Sequence, residues 1–440
     1  MDKNNGAIYD ARKLGKPKMI ILGVQHMFAM FGATILVPIL TGLDISTTLL
    51  MAGLGTLLFH CITKFKVPAF LGSSFAFLGG YAAIKAFSPN DPNSMLPYAC
   101  LGVACAGLIY FILAAVIKAV GIEKVMRFFP PVVTGPIIIA IGLGLAPSAV
   151  SNCTTNWFLA VVALAVIVVF NIWGKGMAKI IPIILGLLIS YGTGLVLYFI
   201  SQANPDLIQN VPWLFSGGAD ANGVYQPIFD FTSLNTICDN ISKGHIFGSE
   251  GLIGIPIHWD KTVFGGIDYS NGALIASSII AIVPIAFATM MEHIGDICAI
   301  SSTTGNNYIK DPGLHRTLVG DGLATTLASL FFGPSNTTYG ENSGVLALTR
   351  VYDPRVIRIA AYFAVAVSFF PIVSVIIGSI PSCIIGGISF VLYGMISAIG
   401  VGQRKKKKKK QTKKKKKGGG KKKKGGGGGE RGGGGRRDEK

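Results

Sequence analysis

Two stretches decide how this chain folds: Pro68-Ala69-Phe70-Leu71-Gly72-Ser73-Ser74-Phe75 and Asn336-Thr337-Thr338-Tyr339-Gly340-Glu341-Asn342-Ser343-Gly344-Val345. The first is β-prone and interrupted by glycine. The second follows Pro334 and is too polar and too short to face lipid as a helix. Both fall within otherwise apolar sequence. Irregular backbone at membrane depth survives only where protein or an aqueous cavity satisfies its amides. Each stretch therefore reads as extended backbone leading into a half-helix whose free N–H groups point at a ligand.

Around them, apolar runs of roughly 20 residues recur from Met19 to Gly400, each long enough to cross about 30 Å of hydrocarbon as a helix. Half of the residues are hydrophobic and 14% are charged, so lipid is the solvent for most of the chain. Alternating ten-residue strands are absent, which argues against a barrel. The pattern predicts about twelve spans, near 19–40, 47–63, 68–86, 96–118, 131–150, 157–173, 180–200, 273–301, 314–332, 337–350, 357–378 and 381–400. Lys and Arg fall on alternate short connections, which places both termini in the cytoplasm. Residues 1–18 then form a cytoplasmic N-terminus, 19–402 the membrane domain, and 201–271 an extracellular loop with Trp213 and Trp259 in a small folded cap.

The formal charge of +19 invites a nucleic-acid reading, but its distribution argues against one. The tail, residues 403–440, carries +17, and the remaining body only +2. A Lys/Gly run cannot bury a core and is expected to be disordered. Its bias toward residues with purine-only codons also fits a corrupted reading frame. Seven scattered cysteines have no metal-ligand spacing and read as small buried apolar residues; Cys153 and Cys238 alone fall in outside loops.

The chain also echoes itself. Gln25-His26 in the first span corresponds to Glu292-His293 in the eighth, Gly72-Ser73-Ser74-Phe75 to Asn336-Thr337-Thr338-Tyr339, and Pro130 with Gly135 to Pro381 with Gly386. The second copy thus starts seven spans after the first. An odd number inverts it, which is a recurring transporter architecture. The fold class that follows is an all-α polytopic membrane protein built on an inverted repeat of seven spans. A complete repeat would have fourteen spans, and the partners of the sixth and seventh would then be absent after Gly400.

Ionisable groups inside spans are costly, so each is a functional candidate. Glu292 and Asp296 stand at i and i+4 on one helix face, with His293 beside them; Glu341 follows the second irregular stretch. A structural hydrogen bond outweighs substrate contact for His26, His60 and His293. Ser73, Ser74, Thr337 and Thr338 serve equally as glue between helices. Glu292 and Glu341 have no nearby intramembrane Lys or Arg in sequence, so they call for a ligand, a proton or a cation. A uracil-like imide suits these groups: its ring N–H donors can meet carboxylates and its carbonyls can accept backbone N–H bonds. Phe75, Tyr339 and Tyr393 can hold the flat ring. Burial disfavours the charged form of a carboxyl, so one acid can exchange a proton as the cavity opens to either side.

At these residues the chain resembles the nucleobase–cation symporters of the nucleobase–ascorbate transporter family, particularly the bacterial uracil permeases. The likeness spans Lys16 to Gly402 and includes Gln25 to Thr34, Gly72 to Phe77, Asp311 to Arg316 and Asn336 to Val345. It implies a core of spans 1–4 and 8–11 moving against a gate of spans 5–7 and 12, in a homodimer within the lipid bilayer of the cell inner membrane. It implies that Glu292 and Glu341 bind the base, with backbone at Phe75 and Gly340 and the side chains of Tyr339 and Tyr393 lining the site. Gln25, His26, Ser73, Ser74, Thr337 and Thr338 support it. No cofactor, metal, enzymatic activity or nucleic-acid partner is implied, and protons are the coupling ion. Asp296 stands where some uracil permeases have His, which leaves the proton carrier open among Asp296, Glu292 and Glu341. A purine or xanthine permease is the alternative; xanthine carriers of the family usually have Gln at Glu341. An anion permease is disfavoured by the two carboxylates, and a membrane hydrolase by the lack of a metal cluster or activated nucleophile.

Overall fold

A computed structural model describes residues 7–121, 124, 136, 139–140, 142–179, 181–220, 222–395 and 397–398. The tail, Pro130, Gly135 and the first residues of the expected fifth span lie outside the described residues. The chain opens with α1 (Lys16–Thr41) and α2 (Ile45–Ile62), followed by β1 (Leu71–Ser73), α3 (Leu78–Lys85) and α4 (Leu96–Val120). Next come α5 (Ala146–Cys153), α6 (Trp157–Trp173) and α7 (Pro182–Ala203). Between α7 and the next long helix lie two short helices, a hairpin of β2 (Ser216–Ala219) and β3 (Tyr225–Pro227), and α8 (Thr232–Ser242). The second half runs through α9 (Gly272–Ile282), α10 (Ala286–Thr304), α11 (Leu314–Leu330), β4 (Asn336–Thr338), α12 (Gly340–Thr349), α13 (Pro354–Ser368) and α14 (Pro371–Gly378). The last described helix is α15 (Ser382–Met395).

Among the described residues, α1, α2, α4 with the turn before it, α7 and the joined α9–α10 are long and apolar enough to span a membrane. Three expected spans take other forms. Residues 68–86 and 337–350 are each a three-residue strand followed by a short helix. Residues 357–378 do not form one rod, because α13 and α14 meet at 87°. Pro371 supplies no N–H for the helix, and its ring forces Phe370 into extended backbone (φ −106, ψ 97).

The strands pair antiparallel, with Leu71 opposite Thr338, Gly72 opposite Thr337 and Ser73 opposite Asn336. Two strands leave two open edges, and helix side chains close them. Thr56 of α2 donates from Oγ1 to the Leu71 carbonyl at 3.2 Å and accepts from the Leu71 N–H at 2.9 Å. Thr325 of α11 donates to the Asn336 carbonyl at 2.5 Å. Thr56 and Thr325 thus each serve the first residue of a strand. Around the crossing, helices touch backbone to backbone. A Cβ on Gly107 of α4 would lie 2.8 Å from the Gly322 carbonyl of α11, and one on Gly322 would lie 2.7 Å from the Gly107 carbonyl. Small residues at such contacts drive helix packing in lipid.

Apolar packing divides the molecule. One set of clusters joins α2, α3, α4 and α9–α11, and joins α1, α2 and α13 around Phe70 and Tyr339. Another joins α5, α6, α7 and α15, with Leu36 and Val37 of α1 reaching into it. The segment after α7 is fastened to this second group: the Phe229 and Phe231 rings stack at 5.2 Å, and Phe229 meets Tyr191 of α7 edge-on at 4.8 Å.

The N-terminal segment straps the first group at one end of the bundle. Tyr9 Oη donates to the Thr304 carbonyl at 2.7 Å, Ala11 N–H to Asp353 at 2.7 Å, and Arg355 Nη1 to Asp10 at 2.9 Å. The Arg12 side-chain hydrogen bond, helped by the charge of Arg355, lowers the Asp10 carboxyl to about 2 from 3.8. A depressed folded-state pKa gives stability that is present above the ordinary value and lost as pH falls through the lowered one. Hydrogen-exchange protection of residues 8–14 should therefore persist at pH 5 and fall between pH 4 and pH 2, and Asp10→Asn should remove that step.

The strand crossing depends on Gly72, where a Cβ would come within 2.0 Å of Tyr339 Cε2. Gly72→Ala should destabilise the detergent-solubilised protein by about 1–3 kcal/mol, the usual cost of overpacking, as read by thermal unfolding. Gly79→Ala in α3, where nothing lies within 4 Å, should not.

Candidate functional site

The crossing strands bring two helix starts to the middle of the bundle. Ser74 N–H donates to the Ser335 carbonyl at 2.9 Å and Tyr339 N–H to the Phe70 carbonyl at 3.0 Å, so each chain is held beyond its strand. After β1, Ser74 Oγ accepts from Ala76 N–H at 3.3 Å and caps the 3-10 turn Phe75–Phe77 that leads into α3. After β4, α12 starts directly at Gly340. Helix starts carry unsatisfied N–H groups and a partial positive charge.

Helix α10 passes these starts and sorts its polar residues by direction. His293 is fully buried, with Nδ1 3.3 Å from Thr338 Oγ1 and 3.4 Å from Asp321 Oδ1. Asp321 is also fully buried, and Thr337 Oγ1 donates to its Oδ2 at 3.4 Å. Asp296 is half-buried; Thr338 Oγ1 donates to its Oδ2 at 3.3 Å, and its Oδ1 lies 3.2 Å from where a Cβ of Gly340 would stand. Glu292 is exposed on the same helix. His293, Ile297 and Ile300 form the packed side of α10, and Glu292 and Asp296 lie on the adjoining, more open side. Apolar packing against α4 and α11 sets the rotation.

The other candidates are distributed as follows. Phe75 is half-buried and packs against both apolar groups, at their junction. Tyr339 is buried under β1, its Oη donating to the Ser73 carbonyl at 3.1 Å and lying 3.4 Å from Thr34 Oγ1. Tyr393 belongs to the α5–α7 and α15 group. His26 is fully buried, with Nδ1 3.2 Å from Asn342 Oδ1 of α12. Glu341 is the second residue of α12, and its side chain lies outside the described residues. Gln25 Oε1, Ser73 Oγ and Asn342 Nδ2 are buried without a hydrogen-bond partner. Among the described residues no cluster of His, Cys, Asp and Glu could hold a metal.

Sequence reasoning passed over Asp321 and Asn342. Asp321 is the lone acid in the apolar run 314–332, and the rule that singled out Glu292 applies to it equally. Asn342 carries no charge, and its pairing with His26 spans 316 positions.

The Permease family model matches residues 17–415 of the chain. The uracil permease of Bacillus caldolyticus is 38% identical over 393 residues, covering 87% of this chain and 78% of that protein. The uracil permease of Bacillus subtilis is 37% identical over 395 residues, covering 87% and 79%. The putative pyrimidine permease RutG of Escherichia coli is 34% identical over 399 residues, covering 90% and 79%. In three dimensions the chain is similar to the transmembrane domain of the cyanobacterial bicarbonate transporter BicA, with TM-score 0.51, 15% identity, and coverage of 89% and 91%. It is similar also to SLC26A9, with TM-score 0.50, 10% identity, and coverage of 89% and 59%. At such identities the structural likeness speaks for the fold alone. With a family match over most of its length and relatives this similar across most of both chains, this multi-pass membrane protein belongs to the Permease family.

Proposed function

We propose that this chain is a secondary active transporter that carries uracil with protons across the cytoplasmic membrane by alternating access. The observation that carries the reading is the pairing of two mid-bundle helix starts beside Asp296 of α10, on a chain whose relatives are uracil permeases. Uracil presents two ring N–H donors and two carbonyl acceptors in one plane. Glu292 and Glu341 accept the N–H groups, and backbone N–H groups at Phe75 and Gly340 donate to the carbonyls. The orphaned polar atoms of Gln25, Ser73 and Asn342 are the remaining supply of partners. Phe75, at the junction of the two apolar groups, supplies the flat apolar wall.

The group containing the strand crossing acts as the core, and α5–α7 with α15 as the gate. Termini are cytoplasmic, two copies pair, and the proton is carried among Glu292, Asp296 and Glu341. A proton moving inward gains about 2.3 kcal/mol per 100 mV of membrane potential, which drives accumulation. The runner-up is a purine or xanthine substrate.

Radiolabelled uracil should bind the purified protein, and Glu292→Gln and Glu341→Gln should each weaken binding about 10- to 100-fold. That is the loss expected for a hydrogen bond to a charged group worth about 1.5–3 kcal/mol. Unlabelled xanthine should fail to compete. Uracil binding that survives both substitutions would remove the two carboxylates from the site; competition by xanthine would move the assignment to purines. Coupling is tested separately: uracil uptake into cells expressing the chain should collapse when a protonophore is added, and uptake that persists would overturn the proton as driving ion.

A further inference from the structure

We infer that the segment from His245 to His258 is seated in the lipid interface at the end of the bundle opposite the N-terminal strap, with Phe247 and Ile255 as its anchors. Phe247 is 80% exposed and Ile255 76%, and Ile246 and Leu252 are exposed beside them. The segment is ordered by its own bonds: Gly248 N–H donates to the Ile253 carbonyl at 3.0 Å and Ile253 N–H to the Ile246 carbonyl at 2.9 Å. Its only carboxylate is Glu250, and it has no Lys or Arg. Large apolar side chains displayed this openly need a partner.

Two hydrogen bonds fix the depth of that display. Thr47 Oγ1 donates to the Pro256 carbonyl at 2.5 Å, and Gly254 N–H donates to the Phe369 carbonyl at 2.9 Å. Helix α2 starts at Ile45 and has 18 residues, about 27 Å at 1.5 Å per residue, close to the thickness of the hydrocarbon core. Thr47 therefore stands within its first turn, at the hydrocarbon boundary, and Phe369 marks the end of α13 on the same side. The loop backbone is tied to that level.

Aromatic side chains continue the band. Trp259 is exposed and stacks on Phe264 with centroids 5.8 Å apart, and both meet Phe331 at the end of α11. Exposed Trp and Tyr at one level mark the membrane–water interface, and Trp259 and Tyr269 both qualify. Phe369 and Phe370, partly exposed at the α13–α14 bend, extend the same surface. A lipid surface fits this patch: apolar anchors at one depth, an aromatic rim and little charge.

The test is photo-crosslinking in the full chain reconstituted in nanodiscs of phosphatidylglycerol and phosphatidylcholine. A benzophenone amino acid replaces Phe247, Ile255 or, as control, Tyr225 in β3, which is flanked by Asp220, Asn222 and Gln226. Intact-mass analysis should find phospholipid adducts at 247 and 255 several-fold above those at 225. Adducts to a second protein chain would assign the patch to a subunit interface and overturn the proposal, as would lipid adducts no more frequent than at 225. A second readout uses Phe247→Trp: the added emission should be quenched by lipids brominated high on the acyl chain, and unquenched emission would overturn the proposal equally.

Discussion

A peptide group in the middle of a lipid-embedded bundle has no water to fall back on, and this constraint governs the antiparallel crossing of Leu71–Ser73 with Asn336–Thr338. Each strand satisfies the other on one edge. The opposite edges are satisfied by threonines planted on helices, Thr56 for Leu71 and Thr325 for Asn336. Asn336 Nδ2 donates to the Met51 carbonyl at 2.9 Å, and His60 Nε2 lies 2.9 Å from the Ala69 carbonyl. With these partners in place the chain can stop being a helix in mid-bundle and start a new one there. Without them, mid-bundle helix starts would be too costly to keep.

Close approach of the surrounding helices is the second requirement. Gly107 and Gly322 bring α4 and α11 into backbone contact, and on the other side of the molecule a Cβ on Gly387 of α15 would come within 2.2 Å of the Ala160 carbonyl of α6. The hydrophobic effect does not distinguish one helix face from another in lipid, so such contacts decide which faces meet. The result is two packed groups with α1 contributing to both.

Much of this was legible in the sequence. The two irregular stretches betrayed themselves by Gly72, Pro334 and Gly340 inside apolar surroundings, and the ordered echoes exposed the repeat. The bend between α13 and α14 was not read, although Pro371 stands at it, because apolar sequence on both sides has the length of one span. Helix rotation was also hidden: Glu292 and Asp296 share a face by periodicity, but which face packs depends on Ile297 and Ile300 meeting α4 and α11. The ring of Tyr339 fills the space that Gly72 leaves open, and its hydroxyl is bonded to Ser73. Such contacts join residues more than 260 positions apart and leave no local trace.

The directions of the α10 side chains have a mechanical consequence. His293 ties α10 to Asp321 of α11 and to Thr338 of β4, Asp296 ties it to Thr338 and reaches the start of α12, and β4 is paired to β1, which leads into α3. Asp296, Asp321 and the two helix starts therefore belong to one bonded unit whose joining contacts include none from α5, α6, α7 or α15. A displacement between the two packed groups would alter what covers that unit. Phe75, which touches both groups, is where such a displacement would first be felt. On the proposed function, a polar site held together in this way and covered by another packed group meets the physical requirement for presenting the same ligand geometry to two sides of a membrane in turn.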